Sequence, residues 1–337
     1  MSRQLGQWVL VFAVTCLATA CSTPTEVPTP ASQREFTDQI AQQHPNLLNW
    51  LPGFYSDYAQ VIEAGGHEDD VTDLTVRKLA TTDTDVFLFK THKRSAIDAT
   101  YDLYFIRLDP SSGVPEMEFA RMTGSDLSKP LAETLHIGRK RALPGCTISL
   151  AQFNIQSLTA VQTSYIGKSL IDTCQFEDPL HGHTAFERSL SISENQITVT
   201  EIALKPGETL SATAEQLPLA KLFQKHQAYE GTVSVNMAAV SNNPDTTQWI
   251  TSTSINFYDD GRVSKLYDTD MQPMNYAIRL SKMKWRKNEP PYLRIEAVDL
   301  KSGEALAYSW FDPESAQVDW ELEWLEVHLK ELDLGLE

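Results

Sequence analysis

Tyr101-Asp102-Leu103-Tyr104-Phe105-Ile106-Arg107-Leu108 is a run of eight residues rich in aromatic and branched side chains, with no helical spacing and no glycine or proline. Such a run reads as a β-strand. The same habit recurs on both sides of it, at 74–79 (LTVRKL), 86–90 (VFLFK), 146–153, 165–166, 185–192 and 196–204. Turn-forming clusters separate these short runs, which together argue for an antiparallel all-β domain. Ahead of them, residues 35–50 are expected to form an amphipathic helix anchored by Phe36, Ile40, Leu47 and Leu48. Pro45 should kink or divide it.

Pro206-Gly207 closes the first series, and a short helical piece over 212–225 is expected to lead onward. Further strands are expected at 230–240, 249–258 (WITSTSINFY), 263–267, 276–280, 293–300, 305–311 and 320–329. Asp259-Asp260-Gly261 is read as a hairpin turn, and Lys301-Ser302-Gly303-Glu304 as another. This second half is a second antiparallel β domain or a β extension of the first, with a boundary near residue 218. The expected division is 1–20, 21–40, 41–210 for a β-barrel domain, and 218–337.

The first two segments set the compartment. Arg3 precedes an apolar run, WVLVFAVTCL, which ends in Ala18-Thr19-Ala20 before Cys21. A basic start, a short apolar core and small residues are the layout of a secretory signal peptide. The core is too short to span a bilayer. Leu17-Ala18-Thr19-Ala20-Cys21 resembles the bacterial lipobox, which implies cleavage before Cys21 and lipid attachment to it. Ser22 follows, so the expected location is the cell envelope, on the outer membrane facing the periplasm. Residues 22–34, rich in Ser, Thr and Pro, read as a flexible tether. The net charge of -17 opposes nucleic-acid binding, and no such partner is expected. With Cys21 lipidated and Cys16 removed, Cys146 and Cys174 remain in an oxidising compartment and are expected to form a disulfide.

Four short motifs in order carry a resemblance. They are Trp50-Leu51-Pro52-Gly53-Phe54-Tyr55-Ser56, Leu143-Pro144-Gly145-Cys146, Tyr165-Ile166-Gly167 followed by Cys174, and Thr184-Ala185-Phe186-Glu187-Arg188-Ser189-Leu190-Ser191-Ile192. Over roughly residues 42–205 the chain resembles the CpcT/CpeT-type chromophore lyases. The resemblance implies a lipocalin-like calyx, an antiparallel barrel open at one end. Characterised members bind a linear tetrapyrrole (bilin) and help attach it to a cysteine of a phycobiliprotein. Tyr101 and Arg107 match positions expected in that family, and Phe54 and Tyr55 lie where a barrel entrance is expected. These four are the expected ligand-binding residues, with a bilin or another small apolar molecule as the candidate ligand.

No G-x-S-x-G elbow, P-loop, dinucleotide fingerprint or HExxH motif is present, so no catalytic residue is singled out. His181-Gly182-His183, with or without His226, falls short of a zinc set, and His67-Glu68-Asp69-Asp70 lacks EF-hand spacing. No metal is expected. Tyr58 near the entrance, and Trp285, Trp310, Trp320 and Trp324 in the second half, are read mainly as packing residues. The leading function is carriage of a small ligand by a membrane-anchored protein, with a protein partner for the C-terminal half. A true chromophore lyase and a purely structural envelope protein are the alternatives.

Overall fold

The computed structural model describes residues 42–81, 85–142, 146–156, 161–169, 174–178, 182–204, 220–236, 249–284 and 290–332. Twelve strands build the first unit: β1 (Gly53–Ser56), β2 (Thr72–Leu79), β3 (Asp85–Lys93), β4 (Thr100–Leu108), β5 (Pro115–Met122), β6 (Thr147–Ser149), β7 (Ala151–Gln156), β8 (Val161–Lys168), β9 (Gln175–Asp178), β10 (Gly182–Ser193), β11 (Gln196–Leu204) and β12 (Lys221–His226). Eleven of them run in the order β6-β5-β4-β3-β2-β1-β12-β11-β10-β8-β7, every pairing antiparallel, and β9 pairs with β10. This is a nearly closed barrel: the period-2 runs implied its antiparallel strands, and the family resemblance implied the barrel.

Closure comes from a corner rather than from a last ladder. β6 pairs with β5, the chain turns at buried Leu150, and β7 pairs with β8 on the other side of the seam. There is no room between the two sides: a Cβ on Gly167 of β8 would lie 2.2 Å from the Ser149 carbonyl oxygen, so only glycine fits. The Cys146–Cys174 disulfide, with both residues buried, clips the start of β6 to the start of β9 across the same seam.

α1 (Pro45–Trp50) plugs one end of the barrel. Proline at its first turn suits a helix start, and its Leu47 and Leu48, with Leu51 after it, join the barrel core. The Tyr55 hydroxyl donates to the carbonyls of Trp50 and Leu51, and Lys225 Nζ donates to that of Trp50 at 3.0 Å. These donors satisfy carbonyls that the helix end leaves without partners. Gly53 sits at φ +156°, and a Cβ there would come 2.6 Å from Lys225 Cε. The Trp50–Ser56 motif is therefore the fitting that holds the plug.

After α2 (Tyr58–Glu63), two more helices, α3 (Gly124–Leu127) and α4 (Leu131–Arg141), lie between β5 and β6. Leu127, Leu135 and Ile137 cover an outer apolar patch of Val86, Leu103, Phe105, Ala120 and Met122. Asp126 ties this segment together. It accepts from the Thr123 amide and hydroxyl at the start of α3 and from Arg141 at the end of α4. Burial pushes the Asp126 carboxyl up, but the Thr123 hydroxyl, the Thr123 amide and Arg141 outweigh it and bring it to about 2. A depressed carboxylate adds stability above its unfolded value, near pH 4, and loses it as pH falls through the folded one. We expect Asp126→Asn to be less stable than the wild type at pH 7, with the gap narrowing between pH 4 and 2. Urea titrations across that range check it, and a gap independent of pH would refute the assignment.

The expected helix over 212–225 is corrected where it is described. Lys221–His226 is β12, filling the slot between β1 and β11, and its residues alternate inward and outward. Residues 212–219 lie outside the described residues. The boundary expected near 218 moves accordingly: Gln227 alone separates β12 from β13, so the barrel extends to His226.

The second unit contains β13 (Ala228–Asn236), β14 (Trp249–Thr251), β15 (Ile255–Tyr258), β16 (Asp260–Tyr267), β17 (Pro273–Met283), β18 (Tyr292–Asp299), β19 (Ala305–Phe311), β20 (Gln317–Leu322) and β21 (Leu325–Glu331). One sheet runs β14-β13-β21-β20, with β15 also on β13, and the other runs β16-β17-β18-β19. A shared core of Tyr229, Val233, Phe257, Ile278, Ile295, Trp320 and Val327, among others, joins them as a sandwich. The expected single strand over 249–258 is two, and Asp259-Asp260-Gly261 is not a hairpin. β15 pairs with β13 while β16 pairs with β17, so the chain crosses between sheets at this point. The expected strand 320–329 is likewise the hairpin β20–β21.

Two arginines and two aspartates fasten the sandwich to the barrel. Arg94 donates to Asp73 and Asp260, and Arg262 donates to the same two carboxylates. Phe54 packs edge-on against Tyr258 beside them, with ring centroids 5.6 Å apart.

Candidate ligand cavity in the barrel

Strand parity decides what the barrel holds. On β4 the even residues Asp102, Tyr104, Ile106 and Leu108 face inward, whereas Leu103 and Phe105 face α4. Near the plugged end the interior is filled by Leu47, Leu51, Tyr55, Ile106, Met117, Ile148, Leu150, Tyr165, Ile192 and Ile197. Each such side chain contributes about 1.5–3 kcal/mol when fully buried. Toward the other end the filling stops and a cavity of about 270 Å³ begins. Its apolar wall is Leu74, Phe89, Val199 and Phe223, and its polar wall is Asp102, Tyr104, Arg121, Arg188, Glu201 and Lys221, with Thr91 and Thr100 alongside.

Arg188 organises the polar wall. It is 3 % exposed on β10, and its Nη1 donates to Asp102 Oδ2 at 2.9 Å and to the Tyr104 hydroxyl. Nη2 donates to Glu201 Oε2 at 2.6 Å. Asp102 also accepts from Arg121 Nε at 2.7 Å. The guanidinium lies over the Phe119 ring, 4.5 Å from its centroid, a favourable cation–π position. Burial opposes the charge on Arg188, but Asp102, Tyr104 and Glu201 more than restore it, so its pKa rises well above the ordinary arginine value. Burial also pushes the Asp102 carboxyl up, yet Arg188 and Arg121 prevail and hold it below the usual range. Burial drives the Tyr104 phenol up to about 12, so it stays protonated.

The four residues nominated from sequence lie elsewhere. Tyr101 is on the outer face of β4, packed against the patch under α4. Arg107 is also outward and exposed, paired with Glu116 at 3.1 Å and Glu118 at 2.9 Å. Tyr55 belongs to the plug, and Phe54 faces Tyr258 and a cleft of about 930 Å³ between barrel and sandwich. The residues that line the cavity were missed, although Arg188 stands inside the Thr184–Ile192 motif. Its signal was a charge on the inward parity of a strand whose neighbours at two-residue spacing, Leu190 and Ile192, are buried.

Among the described residues no group of three His, Cys, Asp or Glu side chains is placed to hold a metal. His226 is held by Asp259 at 3.1 Å at the junction of the two units. The side chains of His181 and His183 lie outside the described set. His67–Asp70 forms a capped 3-10 turn in which Asp70 pairs with Lys93. Trp320 packs in the sandwich core with Trp324 against it, Arg294 stacks over Trp310, and Trp285 lies outside the described residues. Cys21 and the segments 1–20 and 21–40 lie outside them too. No helix among the described residues is long and apolar enough to cross a membrane. Compared with known families, curated proteins and solved structures, the chain matches none.

Proposed function

We propose that this protein is an exported, lipid-anchored carrier that binds a compact small molecule in its barrel, in the manner of a calyx. The observation that carries this reading is the cavity itself. It is concave, apolar on one side, and lined on the other by a few convergent polar groups that fix orientation, the usual make-up of a small-molecule site. The resemblance to CpcT/CpeT-type lyases, the signal sequence and the Cys21 lipobox support the same picture. At about 270 Å³ the cavity falls just below the usual range of about 300–1,000 Å³, so the ligand we assign is smaller than a bilin. The C-terminal sandwich is left for a protein partner.

The packed interior near the plug favours a second reading, a barrel that is structural only. Intact-mass and native mass spectrometry on the protein purified from its own membrane separates the two. We expect a diacylglyceryl-type mass on Cys21 and, under native conditions, a further non-covalent small molecule. Val199→Trp fills the cavity, and its preparation should keep the lipid mass and the β-sheet circular dichroism but lose the small molecule. A wild-type preparation carrying no ligand, with Val199→Trp as soluble and at least as stable, would leave the structural reading in place.

A further inference from the structure

We propose that the barrel cavity selects a compact zwitterion with an apolar side group, an α-amino acid being the simplest member of the class. This rests on the small-ligand reading above and names the ligand's chemistry. Three groups on the cavity wall keep hydrogen-bonding capacity after their contacts within the protein are counted. Glu201 uses Oε2 for Arg188, while its Oε1 lies 4.0 Å from Arg121 Nη2, beyond hydrogen-bond range. At that distance Oε1 is in an ion pair with Arg121 but takes no hydrogen bond among the described residues, so on this 39 % exposed side chain of the cavity wall it can still accept from an ammonium. Lys221 Nζ donates to Thr72 Oγ1 at 3.2 Å, and an ammonium has three donors. Tyr104 accepts from Arg188, so its own proton must point elsewhere. Among the described residues nothing takes it, and the hydroxyl is buried against the cavity.

The spacing suits a small molecule. Lys221 is paired across the ladder with Val199, and Glu201 is two residues further along β11 on the same face. The two charged side chains are thus diagonal neighbours, with backbones about 7–8 Å apart. A ligand carboxylate received by Lys221 and the Tyr104 hydroxyl leaves its ammonium beside Glu201. Its side group then meets Leu74, Phe89 and Phe223. Asp57 and Lys221 both bond to Thr72, so Asp57, Asp102 and Glu201 balance Arg121, Arg188 and Lys221, and the surroundings do not favour a plain anion. A ligand with only one of the two charges forgoes one of the two charge-assisted contacts, at Glu201 or at Lys221, which is the basis of the selectivity.

The test uses the whole mature protein, stripped of endogenous ligand, in thermal-shift and calorimetric titrations with the twenty standard L-amino acids. The best binder is then compared with its deamino acid and its decarboxylated amine. We expect the zwitterion to bind at least about tenfold more tightly than either analogue. Glu201→Gln should remove the preference over the deamino acid without weakening that acid, and Lys221→Met should remove the preference over the amine. The analogue series on the wild type stands by itself if either variant misfolds. Equal binding of the deamino acid overturns the zwitterion in favour of a plain anion and leaves the carrier reading intact. Binding by none of the twenty overturns the proposal. If the native mass spectrum is also empty and Val199→Trp changes nothing, the carrier reading falls with it.

Discussion

Arg188→Met is expected to lower the free energy of unfolding by about 3–5 kcal/mol, measured by urea denaturation. The large effect comes from what is left behind. Asp102 and the Tyr104 hydroxyl are buried, and with Arg188 gone Asp102 depends on Arg121 alone while Glu201 loses its 2.6 Å partner. Breaking a buried ion pair from one side costs far more than the intact pair contributes. Arg188→Lys should not rescue it, because one ammonium cannot reach Asp102, Tyr104 and Glu201 from a single point as the planar guanidinium does. Neutralising the partners should help. Adding Asp102→Asn and Glu201→Gln to Arg188→Met is expected to recover much of the loss. A single variant with an unchanged urea midpoint would show that the wall does not hold the barrel.

Removing the disulfide should have the next largest effect. Cys146 and Cys174 are 28 residues apart in sequence, and a closed loop of that size constrains the unfolded chain by about 3 kcal/mol. For a unit of this size we expect Cys146→Ser/Cys174→Ser to melt roughly 6–12 °C lower than the wild type. The effect should be concentrated at the seam, because β6 and β9 are held there by the covalent clip. Hydrogen exchange should therefore quicken first in β6 and in β10, the strand paired with β9. Since both cysteines are buried, a reductant added to the cold native protein should change little and should act only as the protein is warmed. Rapid reduction in the cold, or an unchanged melting temperature in the double variant, would count against this account.

The strands were legible because alternation is a local signal, and so was the disulfide, because reading Cys16 as part of a signal and Cys21 as a lipid site left only one cysteine pair. The face of each strand was harder to read. In Tyr101–Leu108 both parities are apolar: Tyr104, Ile106 and Leu108 serve the barrel, while Leu103 and Phe105 serve the underside of α4. With that helix unrecognised, nothing in the strand distinguished inside from outside. Tyr101 and Arg107 were nominated from the family resemblance, and no local pattern showed that Asp102 and Tyr104 of the same strand are the residues that reach the cavity. β12 was misread for a different reason. Its Lys-Leu-Phe-Gln-Lys-His sequence has too few apolar positions to show a period, and its strand form depends on a vacancy between β1 and β11 that only the assembled barrel creates. The strands over 249–258 and 320–329 were joined because their β-rich composition continues through the bends. At the first of these, the Ser252 hydroxyl accepts the Val233 amide, a long-range contact with no sequence signature.

The position of β21 bears on the timing of folding. The last strand among the described residues lies in the middle of its sheet, hydrogen-bonded to β13 on one side and β20 on the other. A growing polypeptide that has already made β13 therefore holds one edge open until β21, about ninety residues later, has emerged. The barrel, by contrast, has all its strands by His226. Synthesis should release a largely finished first unit followed by an unpaired, aggregation-prone second one, whose protection falls to whatever chaperone receives the nascent chain.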